Sequence, residues 1–282
     1  MPVRNGAATI ARAIESVQAQ TFEDWELLIS DNLSTDETTA ICARYAESDH
    51  RIRHVPTGRD LAQNENFCEA FRLARGEYFR WYGDDDWLEP EYLELSLQAL
   101  GSRPDAVLCT TLQQYHASDG PWEVVDRITE LGNVDSNDPV ERIRQLFRLF
   151  NTGDLRGIDP VYSLVRREVM ATTSLMAPYR FGDFIFCCEM AVKGRFVHVP
   201  RLLAHRQLAE QISNRAAMRR FTGKSGWRNY VQREISLIRV WERTAPHLGR
   251  RSRVRLALPL VRFAVEEHAH GVRRRLKALV RA

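Results

Sequence analysis

The sequence predicts an α/β fold: a mostly parallel sheet flanked by helices, followed by a basic helical C-terminal extension. Three observations predict it. Over the first 110 of 282 residues, short apolar runs of strand type alternate with stretches of helical spacing. That order implies a parallel sheet covered by helices. Three consecutive aspartates, Asp84, Asp85 and Asp86, stand between an aromatic strand and a proline that opens a helix. Charge is divided unevenly: Asn214 to Ala282 holds 18 Lys and Arg against 4 Asp and Glu, whereas Met1 to Ser213 holds 22 against 33. A basic segment beside an acidic body is expected to meet something anionic.

The length fits one large domain plus an extension, divided here as 1–213 and 214–282. A hydrophobic content of 44% with 27% charged residues excludes a disordered chain. The five cysteines, Cys42, Cys68, Cys109, Cys187 and Cys188, form no C-x-x-C pair, which argues against a disulfide framework or zinc site. No leader is recognised, and no apolar run approaches the ~20 residues that span a bilayer. The expected location is therefore cytoplasmic, at most peripheral at the inner face of the membrane.

Met1–Val3 reads as the end of a strand, closed by the turn Arg4-Asn5-Gly6. Ala8–Gln20 places Ile10, Ile14 and Val17 on one helical face. Trp25–Ser30 is a strand, and Ser34 with Glu37 is a capping-box signature for a helix to about Ala46. Arg51–Val55 is a weaker strand. Ala62–Ala74 carries Phe67, Ala70 and Phe71 at helical spacing, and Gly76 ends it. Glu77–Tyr82 is a buried aromatic strand, and Pro90 opens a helix over Glu91–Leu100. In such sheets ligands bind at the carboxyl ends of strands, so Asn5, Asp31 and the aspartate run should share one edge. Three adjacent carboxylates repel one another. The run is either a solvated acidic turn capping the next helix or a site for a hard cation, Mg²⁺ or Mn²⁺, beside substrate phosphates.

Further on, Ala106–Thr111 reads as a strand, and Pro139–Phe150 as a helix with Ile143, Leu146, Phe147 and Phe150 on one face. Asn151–Pro160 is a polar, glycine-rich loop. Asp183 would N-cap a helix over Phe184–Lys193, and Phe196–Val199 is a further strand. Tyr230–Trp241 is helical. Arg250–Arg281 is a basic amphipathic stretch interrupted at Pro259 and Gly271, of the kind that lies on an anionic membrane surface. Docking onto the acidic body and a subunit contact are the alternatives. No recognition module accompanies the charge, so nucleic acid is not expected as a partner.

Three blocks in order carry a family resemblance: M-P-V-R-N-G, then E-S-V-Q-A-Q-T-F-E-D-W-E-L-L-I-S-D-N-L-S-T-D, then A-R-G-E-Y-F-R-W-Y-G-D-D-D-W-L-E-P. They resemble bacterial members of glycosyltransferase family 2, closely as far as the helix after the aspartate run and more loosely to Ser213. The resemblance implies the glycosyltransferase A fold, a Rossmann-like sheet that binds a sugar nucleotide. It implies an inverting, metal-dependent transfer from a UDP- or dTDP-type donor to a hydroxyl of a glycan, glycolipid or small molecule. The product would belong to bacterial surface polysaccharide, glycolipid or secondary-metabolite glycosylation.

Residue roles follow from the resemblance. Asp31 matches the aspartate that hydrogen-bonds the base, with an Asx turn as its plainer reading. Asn5 would line the nucleoside pocket, and Arg59 would reach a phosphate or the base. The Asp84–Asp86 run resembles the D-x-D motif: Asp85 and Asp86 would hold Mn²⁺ or Mg²⁺, and Asp84 would contact ribose or a water. Asp183 matches the catalytic base, with Glu189 as the fallback. A helix N-terminus favours an ionised carboxylate, so burial or a negative neighbour would have to keep Asp183 basic. His205, with Arg206 beside it, matches a histidine that completes the metal site or contacts diphosphate. Two departures stand out: relatives carry apolar residues ahead of M-P-V, and Gly83 stands where many have an aspartate. They support an alternative, a catalytically impaired sugar-nucleotide-binding or scaffold protein of the same fold.

Overall fold

The computed structural model describes residues 1–116, 132–152, 159–177, 182–207, 232–257 and 259–261. Its first half is built as the alternation predicts. Strand β1 (Pro2–Val3) pairs in parallel with β2 (Leu27–Asp31), and β2 with β3 (Ile52–Pro56). Helices α1 (Ile10–Gln18), α2 (Thr38–Ser48) and α3 (Gln63–Leu73) lie between and after them. All five residues of β2 are buried, as a strand covered on both faces requires. Helix α1 buries Ile10, Ala13, Ile14 and Val17, the stripe its spacing dictates. Short as it is, the Met1–Val3 segment satisfies β2: Ser30 N–H donates to Met1 O at 2.8 Å and Asn32 N–H to Val3 O at 2.9 Å.

The second sheet is mixed rather than parallel. It contains β4 (Tyr78–Phe79), β5 (Trp87–Leu88), β6 (Ala106–His116), β7 (Leu164–Arg166) and β8 (Arg195–Gln207) in the order β4-β7-β6-β8-β5. Only β6 and β8 run parallel; the other three pairings are antiparallel. The strand expected over Glu77–Tyr82 is laddered only at Tyr78 and Phe79. Beyond it, side chains hold the chain in place of a ladder. Trp81 Nε1 donates to Phe67 O at 2.9 Å, and the Tyr82 hydroxyl lies 2.7 Å from Ser16 Oγ.

Helices α4 (Tyr92–Gly101), α5 (Pro139–Thr152), α6 (Arg167–Met170), α7 (Gly182–Lys193) and α8 (Gln232–Thr244) complete the body. Nearly every residue of α7 is buried, so it runs through the interior. Its C-terminal carbonyls are capped by the buried Arg142, which donates to Ala191 O at 2.5 Å and Val192 O at 3.4 Å. A cation suits that end of a helix. From the C-terminal part, Val240, Leu248, Leu256 and Leu260 enter the same apolar core as Ile143, Leu146 and Phe186. Arg255 reaches Asp138 at 2.7 Å and Glu141 at 3.2 Å. Residues 240–257 and Leu260 therefore pack on the acidic body. Residues 258 and 262–281 of the basic stretch lie outside the described residues.

Candidate active site

The turn after β1 is stapled to the loop after β2. Asn5, in the left-handed region at φ 57°, donates its N–H to Ser34 Oγ at 3.0 Å. Its Oδ1 accepts from Thr35 N–H at 2.8 Å. Ser34 is thereby used as a cross-link, and the expected capping box does not form. Asp36 starts α2 instead, its Oδ1 accepting Thr38 N–H at 3.0 Å. A Cβ on Gly6 would stand 2.1 Å from Asp84 Oδ2, so only glycine lets that carboxylate approach the turn. Asn5 and Asp31 thus meet at the carboxyl ends of β1 and β2, as the strand-end rule predicts, and Asp84 reaches the same turn from beyond β4 of the second sheet.

Asp31 differs from its expected direct role at the base. It is 2% exposed, and both oxygens are engaged. Oδ1 accepts Ser34 N–H at 3.1 Å; Oδ2 accepts the Thr39 hydroxyl at 2.7 Å and lies 3.2 Å from His54 Nε2. Burial alone would raise its carboxyl, but these hydrogen bonds together leave it below the ordinary value. Asp31 thereby ties the loop after β2 to α2 and β3. Arg59 is exposed in the loop after β3, following Gly58 at φ 68°.

The three aspartates diverge. Asp84 turns to Gly6, whereas Asp85 Oδ1 and Asp86 Oδ2 each lie 2.8 Å from the place a Cβ on Gly83 would take. Asp85 is half-buried. Burial first, then the charge of Asp86, raises its carboxyl, against Arg206 and Arg12. Asp86 is fully buried and ion-paired with Arg206, Nε to Oδ2 3.3 Å. It is not presented to a ligand, because no solvent-accessible surface remains and a guanidinium already balances it. His205 is likewise committed. Its Nε2 lies 2.8 Å from Glu89 Oε1, its Nδ1 3.0 Å from His116 Nε2, and its ring stacks on Trp87. The pairing Trp87↔His205 across β5 and β8 fixes this arrangement and turns His205 from the metal role expected of it. Among the described residues no group of three or more His, Cys, Asp or Glu converges as a metal site.

Asp183 sits in the first turn of α7, one residue inside the helix rather than ahead of it, and its Oδ1 accepts Phe184 N–H at 2.8 Å. The side chain is exposed to solvent. Partial loss of water around the group pushes its carboxyl above the ordinary value, the Phe184 N–H opposing the rise and the charge of Asp159 adding to it. The fallback, Glu189, is buried and accepts from Ser174 N–H at 2.8 Å and Ser174 Oγ at 2.6 Å, so it serves structure.

Sequence reasoning missed Asp159, Tyr115 and Tyr162. Arg206 pairs with Asp159, the Tyr115 hydroxyl donates to that carboxylate at 2.9 Å, and Tyr162 stacks under the guanidinium. The Asp-Pro step at 159–160 signals a turn, but nothing local signals that its carboxylate enters the site.

A profile described as glycosyl transferase family 2 matches residues 1–172. The chain belongs to this family. Among sequence relatives of this family member, the Bacillus subtilis protein described as putative glycosyltransferase EpsH is 27% identical over 180 residues, covering 63% of this chain and 49% of that one. The chain spans about half or less of the curated relatives compared. The glycosyltransferase A fold is shared with S. aureus TarS residues 1–349 in complex with UDP-GlcNAc. That match has a TM-score of 0.60 and 15% identity, covering 92% of this chain and 70% of TarS. The Pyrobaculum calidifontis mannosyltransferase PcManGT, in complex with GDP-Man and Mn²⁺, has a TM-score of 0.54 and 15% identity, covering 96% and 73%. No helix among the described residues is long and apolar enough to cross a membrane.

Proposed function

We propose that this glycosyltransferase moves a sugar, with inversion, from a nucleotide-diphosphate donor of the UDP or dTDP type to an acceptor hydroxyl. The observation that carries the reading is the meeting of Asn5, Gly6 and Asp84 at the turn after β1, with Asp183 exposed in the first turn of α7. The Asn5–Ser34–Asp31 staple would hold the nucleoside loop, with Asp84 at the ribose. Fixing that remote part of the donor orients the anomeric carbon for in-line attack. Asp183 would take the proton of the acceptor hydroxyl as its oxygen attacks from the face opposite the diphosphate, a role worth roughly 10²–10⁴-fold in rate.

A divalent cation, Mn²⁺ or Mg²⁺, fits Asp85. Its carboxyl is half-buried beside the negative Asp86, and such cations are held by one or two carboxylates with substrate phosphates supplying further oxygens. Neutralising charge on the leaving diphosphate is the chemistry such a cation supplies. Asp86 and His205 are left out of this ligand set by their own partners. We also place an anionic membrane surface among the partners. On the helix spanning 250–257, Arg250, Arg251 and Val254 face solvent, as does Val261 beyond it, opposite the buried Leu256 and Leu260.

The test is a thermal-shift series with UDP, dTDP and GDP, each with and without Mn²⁺. A native-state ligand raises the unfolding temperature by mass action. A Mn²⁺-dependent shift with UDP or dTDP, lost in Asp85→Asn, is the expected result. Absence of any nucleotide shift on folded protein would overturn the donor assignment, and a shift with GDP alone would overturn the pyrimidine.

A further inference from the structure

The aspartate run lies outside both sheets, between the ladder residues Phe79 and Trp87. Within it, Asp86 N–H reaches Gly83 O at 3.4 Å, a long and weak closure for a turn. Helix α1 holds the segment from two points. Leu88 N–H donates to Ser16 Oγ at 3.2 Å, and the Tyr82 hydroxyl lies 2.7 Å from the same oxygen. One helical turn earlier, Arg12 Nη2 donates to the backbone carbonyl of Asp85 at 2.9 Å. Arg12 and Ser16 are four residues apart, so they share one face of the helix.

Arg12 is exposed and stands in the first turn of α1, where the helix dipole disfavours a cation. Its guanidinium carbon lies 3.9 Å from the centroid of Trp87, whose ring stacks in turn on His205. One side chain therefore grips the residue on each side of Asp86. Asp86 itself is paired with Arg206, Nε to Oδ2 3.3 Å. Among the described residues no side chain hydrogen-bonds the Asp85 carboxylate, so the backbone is what aims it. A carbonyl fixed in direction fixes the planar peptide that leaves Asp85, and with it the place from which the carboxylate projects.

We propose that Arg12 is a positioning residue for cation binding: it holds the Asp85 peptide so that the carboxylate is aimed before the ion arrives. The inference deepens, and rests on, the reading of Asp85 as a ligand of Mn²⁺ or Mg²⁺. A ligand already in place loses little freedom when the ion binds, and that saving appears as affinity. The direction of the effect separates this role from that of a simple charge. A guanidinium beside a cation site repels the ion, so as a charge alone its removal would tighten Mn²⁺ binding. As a positioning residue, its removal frees the Asp85 peptide and weakens binding. Folded stability should hardly move, because the dipole penalty on Arg12 and its contact with the Trp87 ring offset one another.

The test is electron paramagnetic resonance of free Mn²⁺ titrated into the full chain with and without UDP, with unfolding temperatures read on the same samples. Arg12→Met keeps an apolar stem for Trp87 but removes the donor and the charge. It should weaken Mn²⁺ binding about fivefold, the worth of one net hydrogen bond, with the unfolding temperature near that of the wild type. Arg12→Lys, which keeps a donor, should recover most of the affinity. UDP affinity measured without metal should be the same in the variants as in the wild type. Unchanged or tighter Mn²⁺ binding in Arg12→Met overturns the proposal, as does a loss accompanied by a large fall in unfolding temperature. Asp85→Asn separates this inference from the reading beneath it. If Asp85→Asn loses Mn²⁺ and Arg12→Met does not, the positioning role alone fails. If the wild type binds no Mn²⁺, or Asp85→Asn binds it undiminished, the ligand reading fails and takes the inference with it.

Discussion

Trp87 and His205 lie flat against each other across the β5–β8 ladder, their ring planes 5° apart and their centroids separated by 4.9 Å. Arg12 covers the Trp87 ring with its guanidinium carbon 3.9 Å from the centroid. Glu89 and His116 take the two nitrogens of the imidazole. His205 is thus part of a stacked, hydrogen-bonded layer behind the aspartate run. Replacing it with Ala should cost about 1–3 kcal/mol through the unsatisfied neighbours it leaves. The Mn²⁺-dependent nucleotide shift should persist. Calorimetry of the variant with and without UDP and Mn²⁺ checks both, and loss of the Mn²⁺ response with unchanged stability would restore the metal role.

The ion pair of Arg206 with Asp86 is a stability element as well. Asp86 has no accessible surface, so Arg206→Met strands a carboxylate in the interior. Breaking a buried pair from one side costs about 3–5 kcal/mol. Urea unfolding at neutral pH should show a loss in that range, and a loss below about 1 kcal/mol, typical of exposed pairs, would contradict the sealed geometry.

Gly182 sets the start of α7. A Cβ there would stand 2.3 Å from the carbonyl oxygen of Ala177, a backbone atom that cannot swing aside. Gly182→Ala should force the first turn outward and displace Asp183. The expected outcome is a stability loss of about 1–3 kcal/mol and a fall in turnover, with UDP affinity retained because the nucleoside edge is untouched. Turnover and UDP titration on the same preparation distinguish this from general unfolding, which would lower both.

The Asp31 cluster makes a pH prediction. Its carboxyl is held below the ordinary 3.8, so its stabilising contribution is present above that value and is lost as the pH falls through the lower, folded-state value. Thr39→Val removes the donor 2.7 Å from Oδ2 and moves the carboxyl back toward the ordinary range. At pH 7 the variant should be less stable by about 2 kcal/mol, the worth of a hydrogen bond to a charged group. The difference should shrink as the pH drops below the ordinary value and Asp31 becomes protonated in both proteins. Urea midpoints across that range would reveal a constant difference if the contact were purely steric.

The parts of this molecule legible in the sequence are those governed by local chemistry. Ile10, Ile14 and Val17 announce α1 because helical spacing alone decides which face they share. The apolar run before Asp31 announces β2, and the rule that parallel strands present ligands at their carboxyl ends places Asn5 and Asp31 on one edge. A helix beginning near Asp183 was also readable, though tertiary structure starts it at Gly182 and so draws Asp183 into the first turn. Tertiary structure likewise took Asp86, His205 and Glu189 out of reach by giving them Arg206, Glu89 with His116, and Ser174 as partners. Arg206 and Asp86 are 120 positions apart in the chain. Periodicity and turn chemistry act over a few residues, whereas the availability of a charged group depends on which distant group the completed fold sets against it.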